Sequence, residues 1–172
     1  GRAWGMGAPR DPPLTSWDKF DTFQFPDPYD KSRYESEQYS AALNTTLPST
    51  KSLIENFGKN KYILGGLGLT GFSLMQCLRG DATIMVDMYR NQDMVEELVK
   101  KLSENTIGLI EMFHTYGANG VICYDDWATQ EGLFLPPKLF RQFLFPMYIK
   151  LIQTTHKYGM HFLHHCCGNI YD

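Results

Sequence analysis

The segment "GVICYDDWATQEGLFLPP", residues 120–137, decides how this chain is read. Its first five residues are apolar and β-branched enough for a short buried strand, and the rest is a loop rich in turn and acidic residues. Working outward, the same strand pattern recurs on both sides. "KYILGG" (61–66) reads as a strand over 61–65 closed by glycines, and "MHFLHHC" (160–166) as a strand over 160–165. Between them the period changes to that of helices. "FSLMQCLRG" is helical with Gly80 as its stop, and "ATIMVDMYRN" also looks helical. Over 92–116, Val95, Leu98, Val99, Leu102, Leu109, Ile110 and Phe113 recur at helical spacing up to Gly117. The stretch 137–158 is helical too, with an expected kink or restart at Pro146, and Gly159 ends it.

Apolar strands alternating with helices imply a parallel sheet with right-handed crossovers. A doubly wound sheet and a (β/α)8 barrel both satisfy that pattern. A barrel takes roughly 250 residues, and this chain of 172 shows three units, so the fold class expected is α/β, a partial TIM barrel. An open arc would leave strand edges exposed and favour aggregation of the isolated piece. Residues 1–60 form a lead-in to the three βα units of 61–172. "DPPLTSWDKFDTFQFPDPYD" has no period and many prolines, but its aromatics predict an ordered loop lying on the body of the domain. Short helices are expected near 31–43 and 49–57.

Composition narrows the function classes. With 43% hydrophobic and 20% charged residues the chain is globular, and a net charge of −3 offers no basic surface for nucleic acid or anionic lipid. No apolar run is long enough to cross a bilayer and no signal peptide opens the chain. Gly1 takes the place of an initiator Met, and the natural start is expected further upstream. Cys77, Cys123, Cys166 and Cys167 are too few and too scattered for a disulfide scaffold, which favours thiols in a reducing cytoplasm. Asn44-Thr45-Thr46 is read as a chance sequon.

Three motifs carry possible chemistry. "GLGLTG" (66–71) has the spacing of a dinucleotide loop, but no acidic strand end follows about 20 residues on, and it is read as a glycine-rich strand end. "YDDWATQ" (124–130) stands at the C-terminal end of a strand, the edge that carries the chemistry in barrels. Strand alternation lets only one of Asp125 and Asp126 reach the mouth, and an acidic pair that merely braces a loop is an equal alternative. In "HHCCGN" (164–169), alternation puts His165 and Cys167 on one face and His164 and Cys166 on the other. Residues two apart on a strand lie about 6.6 Å from each other, so an imidazole and a thiolate can converge on one zinc ion. The plain alternative is a buried strand with a hydrogen-bonded histidine. His156, His161 and His164 are read as structural.

Taken together, "KYILGG", "LRG", "YDDWATQEGLFLPPKLFRQFLFPMYIKLI" and "HKYGMHFLHHCCGN" resemble the uroporphyrinogen decarboxylase superfamily over residues 61–172, and "DKFDTFQFPDPYD" shares its manner. The closer similarity is to the branch of zinc-dependent, corrinoid-linked methyltransferases. That resemblance implies a complete barrel about twice as long, with zinc held by His165, Cys167 and a cysteine beyond Asp172. It implies methyl transfer between a corrinoid, on a partner protein or as substrate, and a thiol or methylated small molecule. Asp126 is the expected catalytic residue, with Asp125, Trp127, Gln130 and Arg79 as substrate contacts. The runner-up is uroporphyrinogen decarboxylase itself, a metal-free enzyme of porphyrin synthesis whose essential aspartate would precede this segment. The decarboxylases have a small polar residue in place of Asp126 and lack the His-x-Cys-Gly. A non-catalytic zinc-binding domain is the third reading.

Overall fold

In a computed structural model the described residues are 11–40 and 43–170, and they form an α/β unit around one parallel sheet. The short elements α1 (Ser32–Glu35), β1 (Gln38–Ser40), β2 (Thr45–Leu47) and α2 (Thr50–Phe57) come first. The main sheet follows, with β3 (Leu64–Leu69), β4 (Gly120–Tyr124) and β5 (His161–His165). Helices α3 (Gly71–Arg79), α4 (Asp81–Arg90) and α5 (Gln92–Thr115) connect β3 to β4. The second crossover is α6 (Pro137–Leu139), a π-helical turn Phe140–Leu144, and α7 (Phe145–Lys157). The strands run parallel in the order β3-β4-β5, which is the consecutive order of a barrel wall. Gly65, Leu67, Val121 and Cys123 are buried on one face of the sheet, whereas Leu64, Tyr124, Leu163 and His165 on the other are exposed. Helices on one face, with strands in chain order, make this an arc of a (β/α)8 barrel rather than a doubly wound sheet.

Two expectations are corrected. The first strand lies at Leu64–Leu69 rather than 61–65, so residues 66–69 of the glycine-rich motif belong to the strand and Gly71 opens the next helix. The glycines explain it: a Cβ on Gly65 would meet the Phe113 ring of α5 at 2.3 Å, so only glycine admits that helix. The register shifts between Gly66 and Gly68, a bulge with Gly68 at φ 71°. The helix expected over 31–43 is instead a single turn, α1, followed by the antiparallel pair β1–β2 (Gln38↔Leu47). Asn44 between those strands has φ 48°, a conformation asparagine tolerates and a helix does not.

The expected interruption at Pro146 is present. Pro146 sits in the first turn of α7, where a missing N–H costs least, and the π-helical turn just before it widens the backbone. The lead-in packs as an ordered loop over its described part. Leu14 is fully buried and its N–H donates to Leu78 O, while Trp17, Phe20, Phe23 and Phe25 form a chain of edge-on aromatic contacts. The core joins Phe72, Met75, Ile84 and Met88 to Leu98, Ile110, Leu144 and Leu151, all fully or nearly fully buried.

Candidate functional site

Parallel strands bring the three C-terminal strand ends to one edge, so the loops after β3, β4 and β5 must meet there. They are stitched by backbone bonds: Thr70 N–H to Tyr124 O (3.2 Å), Asp125 N–H to His165 O (3.1 Å) and Asn169 N–H to Thr129 O (2.8 Å). Close approach of the last two loops requires glycine at 168, because a Cβ there would lie 2.2 Å from Ala128 O.

The two aspartates part company at this edge. Asp125 is 1% exposed and turns inward to the N-terminus of α3. Its carboxylate accepts hydrogen bonds from Phe72 N–H (3.0 Å), Ser73 N–H (2.6 Å), the Trp127 indole N–H (2.8 Å) and the Tyr148 hydroxyl (2.6 Å). Two of these donors are the unpaired N–H groups of a helix start, where negative charge is favoured. Gly71 makes room for it: φ is +45°, and a Cβ would meet Asp125 Oδ2 at 2.3 Å. Burial beside this carboxylate drives the Tyr148 phenol far above its ordinary pKa.

Asp126 points the other way. Its carboxylate accepts from Cys167 N–H (2.8 Å), and its own N–H donates to Ser73 Oγ (3.0 Å). His165 Nε2 stands 2.9 Å from Cys167 Sγ. A carboxylate oxygen of Asp126, a ring nitrogen of His165 and the Cys167 sulfur thus lie within 4.8 Å of one another. Imidazole, thiol and carboxylate are the donors that zinc takes. Ligands at roughly 2.0 and 2.3 Å from a shared tetrahedral ion stand about 3.5 Å apart, so the nitrogen–sulfur gap needs to open by only about 0.6 Å. The donor set fits the metal. Desolvation, together with the Asp126 charge and the neighbouring Cys166, raises the Cys167 thiol pKa, and a bound cation would reverse that.

Behind this triad lies an aromatic wall. Trp127 packs edge-on against Phe140 (4.8 Å between centroids) and Tyr148 (4.9 Å), and lies over His164 (3.9 Å). His164 stacks on Tyr148 and keeps Nε2 at 3.0 Å from Asp125 O, and burial lowers its pKa. Cys166 also turns inward, its sulfur accepting from Trp127 N–H at 3.2 Å. His164 and Cys166 therefore face away from His165 and Cys167, as strand alternation requires.

Of the residues expected at the substrate, Arg79 and Asp125 are buried and have their polar groups held by the chain itself. Arg79, 4% exposed, lies at the far end of α3. It binds Asp87 through Nε (3.0 Å) and Nη2 (2.6 Å), donates to Leu14 O and covers the Trp17 ring. Asp125 has its oxygens occupied by the chain itself. Trp127 is half-buried in the aromatic wall, and Gln130 is exposed in the loop beyond it. Sequence reasoning missed Asp126 as a candidate metal donor, and with it the contacts of Ser73, Tyr148 and Gly168. Adjacency of consecutive barrel strands was the signal that could have paired the end of β4 with the end of β5.

Comparison with known proteins agrees with this architecture. The chain is similar in fold to a methyltransferase from Methanosarcina mazei, with a TM-score of 0.57 and 22% identity over 70% of this chain and 34% of that one. It thus spans about a third of that structure's length. No curated protein matches. Among the described residues no helix is long and apolar enough to cross a membrane. The uroporphyrinogen decarboxylase (URO-D) family profile matches residues 6–172, so the lead-in and the three βα units fall under a single match, and the chain belongs to that family.

Proposed function

We propose that the full-length protein is a zinc-dependent methyltransferase that moves a methyl group between a corrinoid and a thiol or methylated small molecule. The observation that carries this reading is the juxtaposition of Asp126, His165 and Cys167 at the C-terminal edge of the sheet. His165 and Cys167 would hold the metal. Asp126 offers a third donor inside this chain, where the family resemblance had suggested a later cysteine. Three protein ligands are the number that leaves a position for substrate in catalytic zinc sites, whereas structural sites are closed by four. Zinc, when bound, would hold a coordinated thiol as the thiolate at neutral pH.

This chain's residues do the positioning. Cys167 N–H holds one oxygen of Asp126, and the loop contacts at Gly168 keep the two strand ends together. The aromatic wall of Trp127, His164 and Tyr148 backs the site and keeps water from the Asp125 carboxylate. The C-terminal edge of the sheet, where β4 ends at Tyr124 and β5 at His165, is the side on which a corrinoid, free or on a partner protein, would approach.

The family description favours a second reading, uroporphyrinogen decarboxylase. One experiment separates the two. Zinc-loaded full-length protein is incubated with methylcobalamin plus a thiol, and separately with uroporphyrinogen, alongside metal analysis of the Cys167→Ser variant. The methyltransferase reading expects demethylated corrinoid, and zinc content that falls in Cys167→Ser. Porphyrinogen products that survive a chelator, with no demethylated corrinoid, would establish the decarboxylase instead.

A further inference from the structure

We infer that Ser73 is a positioning residue for the metal triad: through its hydroxyl, the first turn of α3 sets the direction of the Asp126 carboxylate. The inference rests on the zinc reading above. Ser73 contacts both aspartates with different atoms. Its N–H donates to Asp125 Oδ1 at 2.6 Å, and its Oγ accepts from Asp126 N–H at 3.0 Å. Ser73 thus holds the Asp125 side chain and the N–H of the Asp125–Asp126 peptide, whose carbonyl oxygen lies 3.0 Å from His164 Nε2.

That peptide is the branch point of the site. Before it, Asp125 is locked inward by four hydrogen bonds. After it, Asp126 turns outward to Cys167 N–H and to the imidazole of His165. Among the described residues the bond from the Asp126 N–H runs to Ser73 Oγ. Rotation of this peptide would swing the Asp126 side chain away from the other two donors, since Cα–Cβ direction follows the backbone. Ser73 therefore ties the β3–α3 unit to the β4 loop, and Asp126 ties that loop to the β5 loop. Three successive barrel units meet in a single run of bonds: Ser73, Asp126, Cys167.

Outer partners of metal ligands commonly affect metal affinity by roughly 10–100-fold, and Ser73 stands in that relation to Asp126. Alanine at 73 keeps the backbone donor to Asp125 and suits a helix, so the cap and the fold are retained while the acceptor is lost. Threonine restores the acceptor, and cysteine gives a weaker one of similar size.

The test measures zinc affinity by competition with a chelator, and the absorption spectrum of the cobalt(II)-substituted full-length protein, for wild type, Ser73→Ala, Ser73→Thr and Ser73→Cys. The expected result is about a 10-fold weaker zinc Kd in Ser73→Ala with an altered cobalt(II) ligand-field spectrum, an unchanged melting transition, and recovery in Ser73→Thr. Should Ser73→Ala fail to fold, an intermediate loss in Ser73→Cys with the same spectral change supports the inference, and a wild-type Kd in Ser73→Cys overturns it. Wild-type affinity and spectrum in a folded Ser73→Ala overturn the inference while leaving the zinc reading standing. A wild-type protein that binds neither zinc nor cobalt(II) overturns both.

Discussion

Tyr148 donates its hydroxyl proton to Asp125 Oδ2 across 2.6 Å, joining α7 to the loop that follows β4. The same hydroxyl lies 3.1 Å from Thr70 Oγ1, so one buried phenol links the β3 end, the β4 end and the second crossover. Hydrogen bonds to a charged group contribute about 1.5–3 kcal/mol. Tyr148→Phe keeps the ring packing and removes this donor. Its unfolding free energy in urea should fall by roughly 2 kcal/mol, and an unchanged midpoint would show that Asp125 does not depend on it.

Asp126→Asn should act differently. Asp126 contributes to no core packing, and asparagine can still accept the Cys167 N–H bond. The expected outcome is a loss of methyl transfer by about 100-fold or more, the scale of removing a group that acts in the reacting site, with a melting temperature near wild type. A collapsed melting transition would restore the reading of the acidic pair as loop bracing.

Cys166→Ser should leave zinc content at the wild-type level. The Cys166 sulfur accepts from Trp127 N–H on the inner side of the strand, and a serine hydroxyl can accept the same bond. Metal analysis that shows loss in Cys166→Ser equal to that in Cys167→Ser would contradict the assignment of faces.

Gly168→Ala is expected to destabilise the protein by about 1–3 kcal/mol, the cost of forcing extra volume into a packed position. The obstacle is backbone, since the new Cβ would stand 2.2 Å from Ala128 O and the loops after β4 and β5 would have to separate. Zinc affinity should fall with it, because Asp126 belongs to one loop and Cys167 to the other. Chelator competition together with urea unfolding reads both effects.

His164 supplies the pH dependence. Its folded pKa lies below the ordinary value of 6.5, through burial first, so folding favours the neutral ring. The sign follows: this contribution to stability is complete above about pH 6.5 and is lost as pH falls through the folded pKa. His164→Gln should flatten the acid side of the stability profile. A profile of wild-type slope in that variant would place the titration elsewhere.

Particular residues show where sequence was enough. Helix α5 was legible because Val95, Leu98, Val99 and Leu102 repeat at the period of a helix whatever surrounds them. Strands β4 and β5 were legible as short apolar runs closed by turn residues, and alternation alone put His165 with Cys167 and apart from His164 and Cys166. Those are local rules, since covalent geometry fixes which neighbours share a face.

What tertiary structure decided were relations between segments distant in the chain. Asp125 and Asp126 are indistinguishable in sequence; one became a buried hub because the start of α3 and Tyr148 surround it, and the other a candidate metal donor because Cys167 lies across the sheet. Arg79 reads as a ligand-binding cation until Asp87 and Leu14 enclose it. The glycines of β3 were readable as a strand end, but that Gly65 makes room for Phe113 of α5 appears only once the helix is packed on the sheet. By itself the sequence determined periodicity, strand faces and chemical types; which carboxylate is buried and which is presented depends on the groups that fold against it, because burial and hydrogen bonding are properties of the assembled neighbourhood.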